Sequence, residues 1–167
     1  MLYRQNSADG YIMNPTERVN IHASGCVIGT CGLLVLGPSG SGKTQLTQAL
    51  ITRAQQQGLF ARWLSDDRVD GWLHHDRLLA GPPAPLEGLR EQRFLGIVPV
   101  ENVERASIDL IVELKPAEQM ERVSEAASLA IFEGAPLLPA IGVPQDNLAL
   151  QVDIVFGFIE SRFLDRN

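Results

Sequence analysis

The octapeptide GPSGSGKT at residues 37–44 constrains this chain more than any other stretch. It fits the template G-x-x-x-x-G-K-[ST], a glycine-rich turn that closes on Lys-Thr. The context suits it. Residues 33–36 read as a buried strand, and residues 44–57 read as a helix with Leu46, Ala49, Leu50 and Ala54 on one face. Gly37, Gly40 and Gly42 let the backbone curl and aim several N–H groups inward, toward an anion that the positive end of the helix also attracts. In such a loop the lysine, here Lys43, reaches the β and γ phosphates of a nucleotide, and the hydroxyl of Thr44 can ligate Mg²⁺. Pro38, Ser39 and Ser41 complete the predicted phosphate-binding set.

The 167 residues suit one domain, with residues 1–18 as a flexible tail and residues 19–167 as the folded part. At 45% hydrophobic and 20% charged residues, the chain can bury an ordinary core. The formal net charge of −6 argues against nucleic acid as the main partner, because phosphate contacts need a basic surface. No apolar run reaches the length of about 18 residues that a membrane span needs. The N-terminus MLYRQNSADG lacks a signal-peptide core, so the expectation is a cytoplasmic protein. The two cysteines, Cys26 and Cys31, and three histidines complete no zinc pattern, and the cysteines read as small apolar strand residues.

Strands outnumber helices along the chain. Residues 19–28 read as a strand, Gly29-Thr30 as a turn, and residues 59–67 as a strand ending in two acids. A second hairpin turns at His75-Asp76. Residues 81–91 form a Pro/Gly loop, 97–100 a short apolar strand, 107–114 a strand and 116–123 a short helix. Residues 137–143 are strand-like, and Asn147 caps a final helix over 148–163. Several strands are joined too tightly for parallel crossovers, so the expected fold is α/β with a mixed sheet. The final helix reads LALQVDIVFGFI, too apolar for a free surface.

A phosphate loop needs a second group to hold Mg²⁺ or to take a proton. Asp66 and Asp67 are the best candidates. Adjacent side chains on a strand point to opposite faces, so only one faces the loop unless the strand has already turned. Paired acids allow one to act on proton or metal while the other supports it. Glu91 and Arg93 could share one side of an extended segment. His22 precedes the loop, where a lone strand histidine is ordinarily structural, and His74 and His75 read as turn-surface residues.

With these pieces in order, residues 19 to about 163 resemble the HPr kinase/phosphorylase family, in its short single-domain form. His22 opens a strand before the loop, GPSGSGKT is similar to the family's phosphate loop, and WLSDDRVD is similar to its Asp-Asp-x-Val segment. REQRFLGIVPV resembles its signature Glu-x-Arg-x-x-Gly-Ile, and IDLIVEL resembles the strand that follows. The combination and order are more specific than any one motif. The resemblance implies a phosphoenolpyruvate carboxykinase-like fold and an ATP- and Mg²⁺-dependent kinase acting on a serine of HPr, the phosphocarrier of the bacterial sugar phosphotransferase system. It also implies the reverse reaction, in which inorganic phosphate removes the phosphoryl group as pyrophosphate, and a hexameric homo-oligomer.

Roles follow by resemblance. Lys43 and the loop amides hold the nucleotide phosphates. Thr44 and Glu91 are the magnesium ligands, Asp67 accepts the serine proton, and Asp66 supports it or the metal. His22 sits near the transferred phosphate, and Arg105 clamps the transferring phosphoryl group. The chain departs from the pattern at Phe94, where glycine is usual, at Pro99, where an acid is common, and at Asp146, where an arginine is expected. An acid at 146 would repel inorganic phosphate, so kinase activity should survive better than phosphorylase activity. Two other readings stay open: a kinase of the same scaffold with another acceptor, and a nucleotide-sensing regulatory module. A generic ATPase coupled to motion would need segments that a chain this short has little room for.

Overall fold

The computed structural model describes residues 17–84, 88–92, 94–120 and 127–164. The chain runs through β1 (Val19–Ile21), β2 (Ser24–Ile28), β3 (Cys31–Leu36), α1 (Lys43–Gln56), β4 (Ala61–Ser65), β5 (Val69–His74) and β6 (Arg77–Gly81). It continues as the hairpin β7 (Leu89–Gln92) and β8 (Gly96–Pro99), then β9 (Ala106–Ser107), β10 (Leu110–Lys115) and a 3-10 turn at Ala117–Gln119. β11 (Ala127–Leu129), β12 (Leu138–Pro144) and α2 (Leu148–Arg162) close it.

A six-stranded sheet has the order β11-β12-β10-β3-β2-β4, and a four-stranded sheet has the order β1-β5-β6-β9. In the larger sheet β3, β10 and β12 run parallel, whereas β2, β4 and β11 pair antiparallel with their neighbours. The sheet is mixed, as the tight connections imply. β3 alternates between two cores. Cys31, Leu33 and Val35 pack with Leu46, Leu50 and Ala54 of α1 and Val155, Phe156 and Ile159 of α2. Leu34 points the other way, to Ile21, Val69, Leu78 and Ala80 of the smaller sheet. A strand buried on both faces shows no polar alternation, which is why residues 31–36 read as one apolar run.

Residues 19–28, expected as one strand, are two, and so are residues 107–114. Each break lies where the chain leaves one sheet for the other. At the second break consecutive amides choose different sheets: Ile108 N–H donates to Leu78 O at 2.9 Å, and Asp109 N–H to Gly32 O at 2.8 Å. Residues 89–91, expected in a loop, belong to β7, whose hairpin closes at its base through Val100 N–H to Gly88 O, 2.9 Å. The Pro/Gly composition of the preceding stretch hid a four-residue strand. The helix expected over 116–123 is a 3-10 turn at Ala117–Gln119, and residues 121–126 and 1–16 lie outside the described residues.

Both helices end as their residues dictate. Gly58, at φ 75°, stops α1, with Gly58 N–H on Gln55 O and Leu59 N–H on Ala54 O. The Asn147 side chain accepts from Leu150 N–H at 3.1 Å and starts α2. The apolar face of α2 is taken up inside the molecule by Val152, Val155, Phe156 and Ile159, while Leu148 and Leu150 remain exposed.

Candidate active site

The loop from residue 37 to 42 joins the end of β3 to α1. Gly40 and Gly42 take φ 78° and 97°, values costly for a side-chain-bearing residue. Gly42 is the N-cap of α1 and offers no side-chain cap, so no cap side chain fills the first-turn amides. A Cβ on Gly37 would stand 2.6 Å from Ser41 Oγ and 3.0 Å from Leu114 Cβ, so only glycine lets the loop close here. Ser41 Oγ is buried and has no hydrogen-bond partner among the described residues. A buried hydroxyl beside helix-start amides that no cap side chain takes up suits the binding of an anion.

Lys43 is buried, and its Nζ donates to Gly37 O and Pro38 O, each at 3.1 Å. Burial pushes its ammonium below the usual lysine range, while Asp67 and Asp66 pull it back up. The lysine is thus folded onto its own loop, with two carboxylates close enough to bear on its charge.

Those carboxylates follow β4. The strand ends at Ser65, and the chain turns at once. Ser65 Oγ donates to Arg68 O, Arg68 N–H donates to Asp66 O at 2.8 Å, and Asp67 sits at φ 64°. The opposite-face rule therefore does not separate the pair. Asp66 Oδ1 accepts from Thr44 Oγ1 at 2.8 Å and from Ser24 Oγ at 2.7 Å. Asp67 Oδ1 lies 2.8 Å from His22 Nε2, and both side chains are largely exposed. An ionised carboxylate only accepts, so Nε2 carries the hydrogen and donates. His22 itself lies in the break between β1 and β2.

Glu91 lies on β7, and its side chain, like all of Arg93, lies outside the described residues. The base of that hairpin stands beside the acids: Gly88, Leu89 and Val100 share a groove with Trp63, Ser65 and Asp66. Arg105 is exposed just before β9 and makes no hydrogen bond or ion pair among the described residues. His74 and His75 stack edge to face at the β5–β6 turn, far along the hairpin from the acids. Ser24 escaped the sequence reading, because only the cross-strand register shows that it meets Asp66.

The donor set fits a nucleotide with Mg²⁺. One carboxylate and one hydroxyl, Asp66 and Thr44, meet beside an anion cradle, and Mg²⁺ commonly takes one or two protein ligands and completes its shell with phosphate and water. Among the described residues no group of three His, Cys, Asp or Glu could hold a metal alone. Cys26 and Cys31 are free and buried, and burial pushes both thiols up, Cys31 to about 12. They belong to the core.

No family model matches the sequence, and no curated protein matches it. A likeness does appear among solved structures. The Hpr(Ser) kinase/phosphatase from Coxiella burnetii superposes with a TM-score of 0.71 at 22% identity, over 88% of this chain and 99% of that one. The likeness is one of fold: a mixed α/β domain with the same general arrangement. Among the described residues no helix is long and apolar enough to cross a membrane.

Proposed function

We propose that this chain is an ATP- and Mg²⁺-dependent serine kinase whose acceptor is an HPr-type phosphocarrier protein, with phosphorolysis as its reverse reaction. The observation that carries the reading is the meeting of Lys43, Thr44, Asp66, Asp67 and His22 around one glycine-rich loop. The fold shared with an Hpr(Ser) kinase/phosphatase supports the choice of acceptor.

Loop amides and Ser41 Oγ receive the nucleotide phosphates, and Lys43 exchanges the Gly37 and Pro38 carbonyls for phosphate oxygens. Thr44 and Asp66 would hold Mg²⁺, with Glu91 of β7 as a further ligand. When bound, the ion would supply positive charge against the phosphates. Asp67 takes the proton of the seryl hydroxyl, and His22, donating to its Oδ1, keeps the carboxylate aimed. Arg105 stabilises the phosphoryl group in flight. The chain is a phosphoenolpyruvate carboxykinase-like domain in this reading, working as a cytoplasmic homo-oligomer.

The test mixes the protein with Mg²⁺, γ-labelled ATP and HPr from the same organism, beside HPr with its target serine changed to alanine. Label on wild-type HPr alone supports the reading. ATP binding without transfer moves the acceptor elsewhere or favours a sensing role.

A further inference from the structure

Ser24 is wholly buried on β2, a strand otherwise built from Gly25, Cys26, Val27 and Ile28. A hydroxyl in that place gives up its water and needs a partner in return. Its partner is Asp66 Oδ1, at 2.7 Å. The meeting depends on an irregularity in register. Cys26 pairs with Trp63 but Gly25 pairs with Ser65, so Leu64 is the extra residue on β4. The bulge advances β4 by one residue and brings Asp66 beside Ser24.

Thr44 Oγ1 donates to the same oxygen from α1, at 2.8 Å. Two hydroxyls on two different elements thus hold one carboxylate oxygen. No hydrogen bond reaches Asp66 Oδ2 among the described residues, which leaves that oxygen for a cation.

We propose that Ser24 is a positioning residue for the divalent cation. It fixes the Asp66 carboxylate so that Oδ2 faces the ion that Thr44 also binds. The proposal rests on the nucleotide–magnesium reading above. With Ser24 removed, the carboxylate keeps one anchor, which is itself a metal ligand, and can rotate away from the ion. Loss of such an outer hydrogen bond typically weakens metal affinity about 10–100-fold.

The experiment uses the full chain and Mn²⁺ as the probe. Free Mn²⁺ is followed by paramagnetic resonance in the presence of ATP. Binding of a fluorescent ATP analogue in chelator gives the metal-free affinity. Ser24→Ala should raise half-saturating Mn²⁺ about tenfold and leave metal-free binding close to wild type. Ser24→Thr, which keeps the hydroxyl, should restore the midpoint. In an Asp66→Asn background Ser24→Ala should add nothing, because its effect runs through that carboxylate. If Ser24→Ala unfolds, Ser24→Cys keeps the volume with a weak donor, and the same rise is expected of it. An unchanged Mn²⁺ midpoint overturns the proposal. So does equal weakening of metal-free and metal-supported binding, which a purely structural role produces. A wild-type chain that binds the analogue no better with Mn²⁺ than without overturns the magnesium reading itself, and shows this before any variant is made.

Discussion

Asp66 and Asp67 are neighbours in sequence and differ in everything a carboxylate can differ in locally. Asp66 is tied by two hydroxyls and faces the loop, whereas Asp67, at φ 64°, has His22 as its hydrogen-bond partner among the described residues. In the proposed mechanism the first serves the metal and the second the proton. Asp67→Asn should therefore lower kcat by about 10²–10⁴-fold, the usual worth of a positioned base, with ATP affinity kept. Single-turnover transfer alongside nucleotide binding reads this, and transfer at the wild-type rate would remove Asp67 from the role. A different acid supplies a pH prediction. Burial holds the Asp109 carboxyl above its ordinary 3.8, against the downward pull of the Gly32 N–H and Arg77. Between 3.8 and that raised value the folded chain binds more protons than the unfolded one. Asp109 thus contributes least to stability at neutral pH. Asp109→Asn keeps an acceptor for the Gly32 N–H, bonded at 3.0 Å in the wild type. Its Tm should exceed that of the wild type at pH 7, and the gap should close as pH falls toward 3.8. A gap independent of pH would show that charge is not its cause. At this scale the sequence was readable where a motif fixes spacing, as at Lys43 and Thr44. It was silent at Ser24, whose partner lies 42 positions away and is found only through strand register.

Elements were legible in kind more than in extent. A composition rich in β formers marked residues 19–28 and 107–114 as extended, and most of each stretch is strand. It could not show that each stretch changes sheets midway, because both sheets bury the same kinds of side chain. The corner between them depends on Gly32. A Cβ there would stand 2.0 Å from the backbone oxygen of Ser107, where no rotamer can relieve it. Gly32→Ala should cost about 3 kcal/mol, the upper part of the range for forced overpacking, or more. Chemical denaturation would show it as a lowered midpoint, and a stability equal to wild type would mean the corner is looser than drawn. The cap of α2 is a milder case. Asn147→Ala removes the acceptor for Leu150 N–H and should cost about 1 kcal/mol. Thermal unfolding would register this as a Tm lower by about 2–4 °C in a chain of this size. The capping residue was readable because its side chain acts within its own turn. The strand β11 was not, since three residues, Ala127, Ser128 and Leu129, are too few to show a pattern, and they are held by pairing with β12 and by Leu129 against the core.

At the scale of the molecule, the parallel strands collect their outgoing ends on one edge. The glycine-rich loop leaves β3 there, and the turn holding Asp146 leaves β12 there. β12 is separated from β3 by β10 alone, so the two strands lie about 10 Å apart at ordinary strand spacing, and β12 runs two residues past the level of Leu36 before it turns. That topology follows from connection lengths, which the sequence displays, and it gives Asp146 a consequence its own surroundings do not. Under the proposed function, a carboxylate on that edge would act weakly on a nucleotide whose charge Lys43 and a metal ion offset. It would act more on a second anion entering from solvent, inorganic phosphate beside a phosphoserine. The forward reaction would bring one polyanion to the edge, and the reverse two anions. The acid should therefore tax phosphorolysis selectively. Asp146 sits at φ 64°, a conformation asparagine accepts readily, so Asp146→Asn removes charge without backbone strain. The variant should transfer phosphate to HPr at nearly the wild-type rate and release it to inorganic phosphate severalfold faster. The gain should shrink as salt rises, since the interaction crosses solvent. Equal forward and reverse turnover in the wild type, or no gain in the variant, would mean that the charge at 146 does not reach the reaction.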